Sequence, residues 1–405
     1  MSISLNSNGC NMTTLEWCKV KLACFLLFAA TFLVLIPTCS AQLDPKPEDA
    51  TAAVLHEFEK HNIVIFGEIH GNMQEYEWLR ALIATPEFAD RVDDIVMEFG
   101  NSLYQKSVDR YTAGEDVPIE QVEKAWRNTV GAIGPPSPVS GWIYQAVRET
   151  NLKRRGKHQM RVLCGDPYID WDNVKTREDI APYLGHRDEW YTRVVEDEVL
   201  AKNRRALLIM GWGHFLRGQG HPYIEPQLQQ AGAKTYLVVF GTNAVGGYND
   251  LDHRFDSWPK PVIVSLADNW VGELPAMPVV SGGEGGPHMV IIGHGPGSGS
   301  NASQTPPAPL KLKDAADALL YVGPRDNLTQ VPMTRAELDG TPYGKEVQRR
   351  LTIEGFPSGL GAGSEKDKAP QFPRPQTSSG GAPPPPLPPP PKNMDAPLPP
   401  RPPSQ

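Results

Sequence analysis

Five short apolar runs, each closed by a glycine and separated from the next by segments of helical spacing, limit how this chain can fold. They span residues 63–66, 94–99, 160–164, 206–210 and 235–240, and are followed by Gly67, Gly100, Gly165, Gly211 and Gly241. Runs this short and uniformly apolar suit strands buried on both faces. Alternation with helices makes the expected fold class α/β, a mostly parallel sheet flanked by helices with right-handed crossovers. A sixth strand is expected at residues 261–266.

The intervening segments carry apolar residues at helical spacing. Ala52, Leu55 and Phe58 mark a first helix, and residues 73–83 a second, with Trp78, Leu79, Leu82 and Ile83 on one side and Pro86 closing it. Further helices are expected at 103–111, 119–127, 140–151 (capped by Ser140), 187–204 and 224–230. Residues 131–138 are too rich in Gly and Pro for regular structure, and 168–186 read as irregular. Helical segments return at 311–320 and 334–354.

Chemistry-bearing residues stand where the strands end. Glu68 and His70 follow the first run, Glu98 ends the second, Asp166 follows the third and His214 follows the fourth. In an extended backbone, side chains two apart share a face, so Glu68 and His70 belong together. Open parallel sheets bind ligands outside the carboxyl ends of their strands, so these residues should converge in one crevice. Imidazole and carboxylate donors suit zinc, manganese or iron, with His70, His214, Glu98 and Asp166 as candidate ligands. A glutamate beside the metal can serve as general base; without metal, a His–Glu pair can itself activate water. Arg187 and Asp188 open the helix before the fourth strand. They read equally as an ordinary helix start or as placing Arg187 at the crevice, to clamp a carboxylate or stabilise an oxyanion. Trp126, Arg127 and Trp171 read equally as mouth-lining or packing residues, and Cys164 as core.

Residues 1–41 read as a signal peptide. Lys19 and Lys21 precede an uncharged run over 22–36, and Cys39-Ser40-Ala41 places small residues before Gln42. Met12 is an alternative start. The run, about 15 residues, is short of the roughly 20 that a membrane helix needs, so cleavage is favoured over a retained anchor. Lipoprotein processing at Cys39 has a poor lead-in at Ile36-Pro37-Thr38. The expected location is therefore exported, with membrane contact only through an uncleaved signal. Four of the five cysteines lie in this leader, so Cys164 alone would remain, which excludes an intrachain disulfide or a cysteine zinc site. A net charge of −8 argues against a nucleic-acid partner, and the basic run at 153–158 reads as a solvated loop. The expected layout is an α/β domain at 42–280, a Gly/Ser/Pro-rich loop or linker at 281–310, a helical segment at 311–357 packing on the domain, and a disordered Pro-rich tail at 358–405. That tail suits a spacer, or PxxP-type contacts.

Gly67-Glu68-Ile69-His70, then Glu98, then Gly211-Trp212-Gly213-His214, with the Arg187-Asp188 helix opening between, resemble the Tiki/ChaN/erythromycin-esterase superfamily. That group is marked by a pair of GxxH motifs and paired glutamates. The resemblance covers about residues 63–240, and the tail and linker lie outside it. It implies a compact α/β domain with Glu68, His70, Glu98 and His214 at the site; Asp166 rests on position alone. Tiki-like members are metal-dependent proteases. Erythromycin esterases hydrolyse macrolide lactones, are thought to work without metal, and carry a first motif one residue longer than the one here. ChaN-like members bind haem for iron uptake. The expectation is an exported hydrolase, metal-dependent, cleaving an ester or peptide bond in a small-molecule or peptide substrate. The alternative is a haem- or iron-binding uptake protein, with His70 and His214 as cofactor ligands. A secreted adhesion or scaffold protein with a degenerate site is the third reading. Several carboxylates at the strand ends favour the hydrolase, since haem needs one or two axial ligands.

Overall fold

The computed structural model describes residues 43–130, 136–184, 186–215, 217, 224–241, 252–276 and 310–355. The expected leader, the Pro-rich tail and all but the last residue of the expected linker lie outside the described residues. Eight strands form one sheet: β1 (Glu48–Asp49), β2 (Ile63–Glu68), β3 (Asp94–Asn101), β4 (Arg161–Asp166), β5 (Ala206–Gly211), β6 (Thr235–Phe240), β7 (Val262–Ser265) and β8 (Ala318–Tyr321). Their order is β1-β7-β8-β6-β2-β5-β3-β4. Pairings from β8 through to β4 are parallel, and β7 runs antiparallel to both β1 and β8.

The central strands are buried almost throughout, and apolar through their middles, because both faces are covered. Val64, Phe66, Ile95, Met97, Leu207 and Ile209 pack on one side with the helices Met73–Ile83 and Ser140–Lys153. Their neighbours Ile63, Ile65, Val96, Leu208 and Met210 pack on the other with Arg187–Glu198 and Ile224–Gln230. Burying such a side chain contributes roughly 1.5–3 kcal/mol. Among the described residues no helix is long and apolar enough to cross a membrane.

The connectivity sets up the site. The chain moves outward from β2 to β3 and β4, returns to lay β5 between β2 and β3, then places β6 on the far side of β2. The strand order reverses beside β2, and such a reversal opens a crevice at the carboxyl ends.

Several segments differ from expectation. Residues 168–186 contain a helix, Arg177–Leu184, which Pro182 and a single buried position, Ile180, conceal in the sequence. Pro86 opens a helix, Pro86–Arg91, with Thr85 as its cap. The helix starting at Arg187 ends at Glu198 and passes through a 3-10 turn, Leu200–Lys202. The segment expected as one helix at 311–320 is a short helix, Leu312–Ala315, followed by β8, so the sheet of the α/β unit extends beyond residue 280. A four-residue apolar run has too little length for periodicity to separate helix from strand. Gly340 (φ +72°) and Pro342 split the last helix into Arg335–Leu338 and Pro342–Glu354. Arg154 of the basic run is buried and paired with Asp90 rather than solvated.

The C-terminal segment braces the crevice from two sides. Met73 N donates to Thr329 O and Val331 N to Gly71 O, each at 2.9 Å, which straps the turn after β2. From the helix Pro342–Glu354, Arg349 donates to the carbonyls of Val174 (2.6 Å) and Trp171 (2.8 Å), and Arg350 to that of Arg127 (3.0 Å). This clamps the excursion between β4 and Arg187 over a small core of Val130, Ile169, Trp171, Val174 and Ile180.

Candidate functional site

Four neighbouring strands, β2, β5, β3 and β4, deliver the side chains that the sequence singles out. β2 ends on Glu68, and the chain turns through Gly71 at φ +81°, a conformation that favours glycine. The turn sets the His70 ring against the strand end, with Nδ1 2.5 Å from Glu68 Oε1. β3 shifts register against β4 between Met97 and Asn101, the stretch that holds Glu98, and such irregularities re-aim side chains. Glu98 is buried. Its Oε2 accepts from Gly211 N at 2.7 Å and its Oε1 from Arg187 Nη2 at 3.3 Å. His214 lies in the 3-10 turn Trp212–His214 after β5, and its Nδ1 is 2.7 Å from Asp188 Oδ1.

A carboxylate only accepts, so Nδ1 of each histidine carries a proton, and Nε2 is the nitrogen left facing Glu98. Both Nε2 atoms converge on Glu98. His70 Nε2 is 3.7 Å from Oε2, and His214 Nε2 is 3.7 Å from Oε1. Ligand atoms of Glu68, His70 and Glu98 lie within 4.8 Å of one another, a spacing that one metal ion can span; His214 stands outside this tight group and approaches Glu98 at its other oxygen. Gly211 makes this approach possible: a Cβ there would sit 2.9 Å from His70 Cε1 and 3.1 Å from Nε2.

Asp166, expected among the metal ligands, has another task in this geometry. Its Oδ1 accepts from Arg187 Nε at 2.8 Å and its Oδ2 from Val130 N at 2.8 Å. It therefore holds Arg187 and ties the crevice to the small core. Arg187 in turn bridges Asp166 and Glu98, so it neutralises buried carboxylates. Trp126 packs on Tyr144, and Trp171 is buried beneath Arg350, so both belong to packing. Cys164 is buried in β4.

The electrostatics follow from four carboxylates, Glu68, Glu98, Asp166 and Asp188, around one guanidinium. Burial by itself would lower the pKa of His70. The carboxylates of Glu98 and Glu68 more than reverse this and raise it to about 9. Solvent reaches 49% of that side chain and screens part of the field. His214 shifts the same way: burial opposes the rise, and Asp188 and Glu98 cause it. Burial pushes Glu98 up, but His70, His214, Arg187 and the Gly211 N–H bring it down to about 2. At Asp166 burial prevails over Arg187 and the carboxyl is raised to about 6. The field thus gathers positive charge at the two imidazoles. A divalent cation fits this donor set, because it can exchange for the protons that the field retains.

Sequence reasoning gave Asp188 only as part of the Arg187-Asp188 helix opening, with no role at the site, and did not single out Glu75. The spacing Asn72-x-x-Glu75, a capping-box pattern at the start of a helix, was the available signal for the latter.

No protein-family model matches this chain, and no curated protein matches it. Among solved structures, it is similar to a protein from Bacillus cereus (12% identity, TM-score 0.39, covering 69% of this chain and 95% of that one). It is also similar to the type III effector HopBA1 (15%, TM-score 0.32, 51% and 90%) and to ChaN of Campylobacter jejuni, whose structure shows cofacial haem binding (13%, TM-score 0.30, 49% and 88%). Likenesses at this level carry no conclusion about function.

Proposed function

We propose that the crevice is a metal-dependent hydrolytic site, with His70, Glu98 and His214 as the ligands of a divalent cation. The observation that carries this reading is the paired arrangement of the histidines. Each has Nδ1 held by a carboxylate, at 2.5 and 2.7 Å, and each turns Nε2 toward Glu98. Metal-binding histidines are typically oriented by such outer carboxylates, which fix the tautomer and raise ligand basicity. When bound, the cation would supply Lewis acidity toward a carbonyl and lower the pKa of water. The chain's own residues divide the remaining work. Glu68 and Asp188 hold the Nδ1 protons. Arg187 offsets the charge of Glu98 and Asp166. The substrate class proposed is an ester or a peptide, and the leader-like N-terminus supports an exported protein.

A second reading, haem or iron binding, draws on His70. Its imidazole is half exposed, and a carboxylate on Nδ1 would strengthen it as an axial ligand. One experiment separates the two. The full chain, with His70→Ala and His214→Ala alongside, is titrated with zinc and manganese and, separately, with haem. Each form is then assayed against ester and peptide substrates. Saturable metal binding and metal-dependent hydrolysis, both lost in each variant, support the hydrolase. A Soret shift at one haem per chain, without hydrolysis, supports the second reading. Variants indistinguishable from wild type in every assay sink the shared site.

A further inference from the structure

We infer that Glu75 is a positioning residue of this site, holding the peptide between Glu68 and His70 in the shape that lets the pair meet. The inference rests on the proposed metal-binding reading only for one of its two readouts. Glu75 lies in the first turn of the helix Met73–Ile83, where acids usually face water, yet its exposure is 0%. Asn72 Oδ1 accepts from Glu75 N at 2.9 Å and fixes where that turn begins. Glu75 Oε2 then reaches back to accept from Ile69 N at 3.1 Å. Ile69 is the residue between the acid and the imidazole, so this bond locks the backbone that joins them.

The placement is expensive by ordinary rules. A buried carboxyl needs partners, and Glu75 Oε1 and Glu68 Oε2 are both buried with no hydrogen-bond partner among the described residues. The two acids feel each other: burial first, then the Glu68 charge, drives the Glu75 carboxyl well above its usual range. A leucine would fill the space without that cost. An acid there is explained by what it does to the turn.

The shape of the bond distinguishes two substitutions. In Glu75→Gln the amide oxygen accepts from Ile69 N as before, without the buried carboxyl. In Glu75→Leu the Ile69 N–H loses its partner. The nitrogen chemical shifts of the His70 ring, measured in the full chain without added metal, report whether Nδ1 carries the proton shared with Glu68. Zinc affinity is the second readout, and thermal unfolding controls for the fold. Wild type and Glu75→Gln should show a protonated Nδ1 and zinc affinities within about threefold, while Glu75→Leu loses the Nδ1 signature and about 10–100-fold in affinity. If Glu75→Leu does not fold, Asn72→Ala, which frees the same turn, should move both readouts in the same direction. An unchanged ring in whichever of these variants folds, or a wild-type ring with Nδ1 unprotonated, overturns the inference. Absence of zinc binding in wild type, with the ring readouts as expected, would instead count against the metal reading alone.

Discussion

Replacing Arg187 with methionine tests the electrostatic frame of the crevice most severely. The guanidinium bonds Asp166 Oδ1 at 2.8 Å and Glu98 Oε1 at 3.3 Å, and only 12% of its side chain is exposed. Methionine keeps most of the stem and removes the charge, leaving both carboxylates buried. Removing one partner of a buried ion pair costs about 3–5 kcal/mol. The loss should depend on pH, because Asp166 can escape by taking a proton. Its pKa is already raised to about 6 in the fold, through burial. A carboxyl raised in this way stabilises the fold fully below its unfolded value, and that contribution is lost as pH rises through the folded value. Without Arg187 the folded value climbs further. Urea unfolding of wild type and Arg187→Met should therefore differ by about 3–5 kcal/mol near pH 7.5, and by about 1–2 kcal/mol less near pH 5. A difference below about 1 kcal/mol near pH 7.5, or an equal loss at both pH values, would refute the reasoning.

Three further outcomes are expected. Asp188→Asn should lower zinc affinity about 10–100-fold, read by competition with a chelating dye, while the thermal midpoint stays nearly constant. Gly211→Ala, at a backbone conformation open to alanine (φ −50°), should displace the His70 ring, cost about 1–3 kcal/mol in urea unfolding and weaken zinc binding at least about tenfold. Because His70 is raised to about 9 through Glu98 and Glu68 against the opposing effect of burial, zinc must displace a proton below that pH; apparent affinity should rise about tenfold per pH unit toward about 9 and then level off.

Much of the site was legible because strand ends announce themselves. Glu68, His70 and His214 each follow an apolar run that a glycine closes, Glu98 stands near the end of another such run, and parallel strands must bring such ends to one side. What remained hidden lies off that pattern. Asp188 was visible as a helix opener, but its contact with His214 depends on how the excursion after β4 folds back. That path is held by Arg349, which bonds the carbonyls of Trp171 and Val174 from more than 150 residues downstream in the chain. Asp166 looked like a ligand from its position. Its oxygens are turned to Arg187 and Val130 N, which only tertiary structure decides. β8 was misread as helix because a four-residue run in a fully covered sheet carries no alternation, and β7 gave no sign of its antiparallel direction.

The central claim is that two imidazoles and Glu98 hold one divalent cation. X-ray absorption fine structure of the zinc-loaded full chain addresses it directly. The claim predicts a first shell of nitrogen and oxygen, with imidazole scattering from two rings at about 2.0–2.1 Å, reduced to one ring in His70→Ala and in His214→Ala. A shell without imidazole scattering, or one that neither substitution alters, would contradict it.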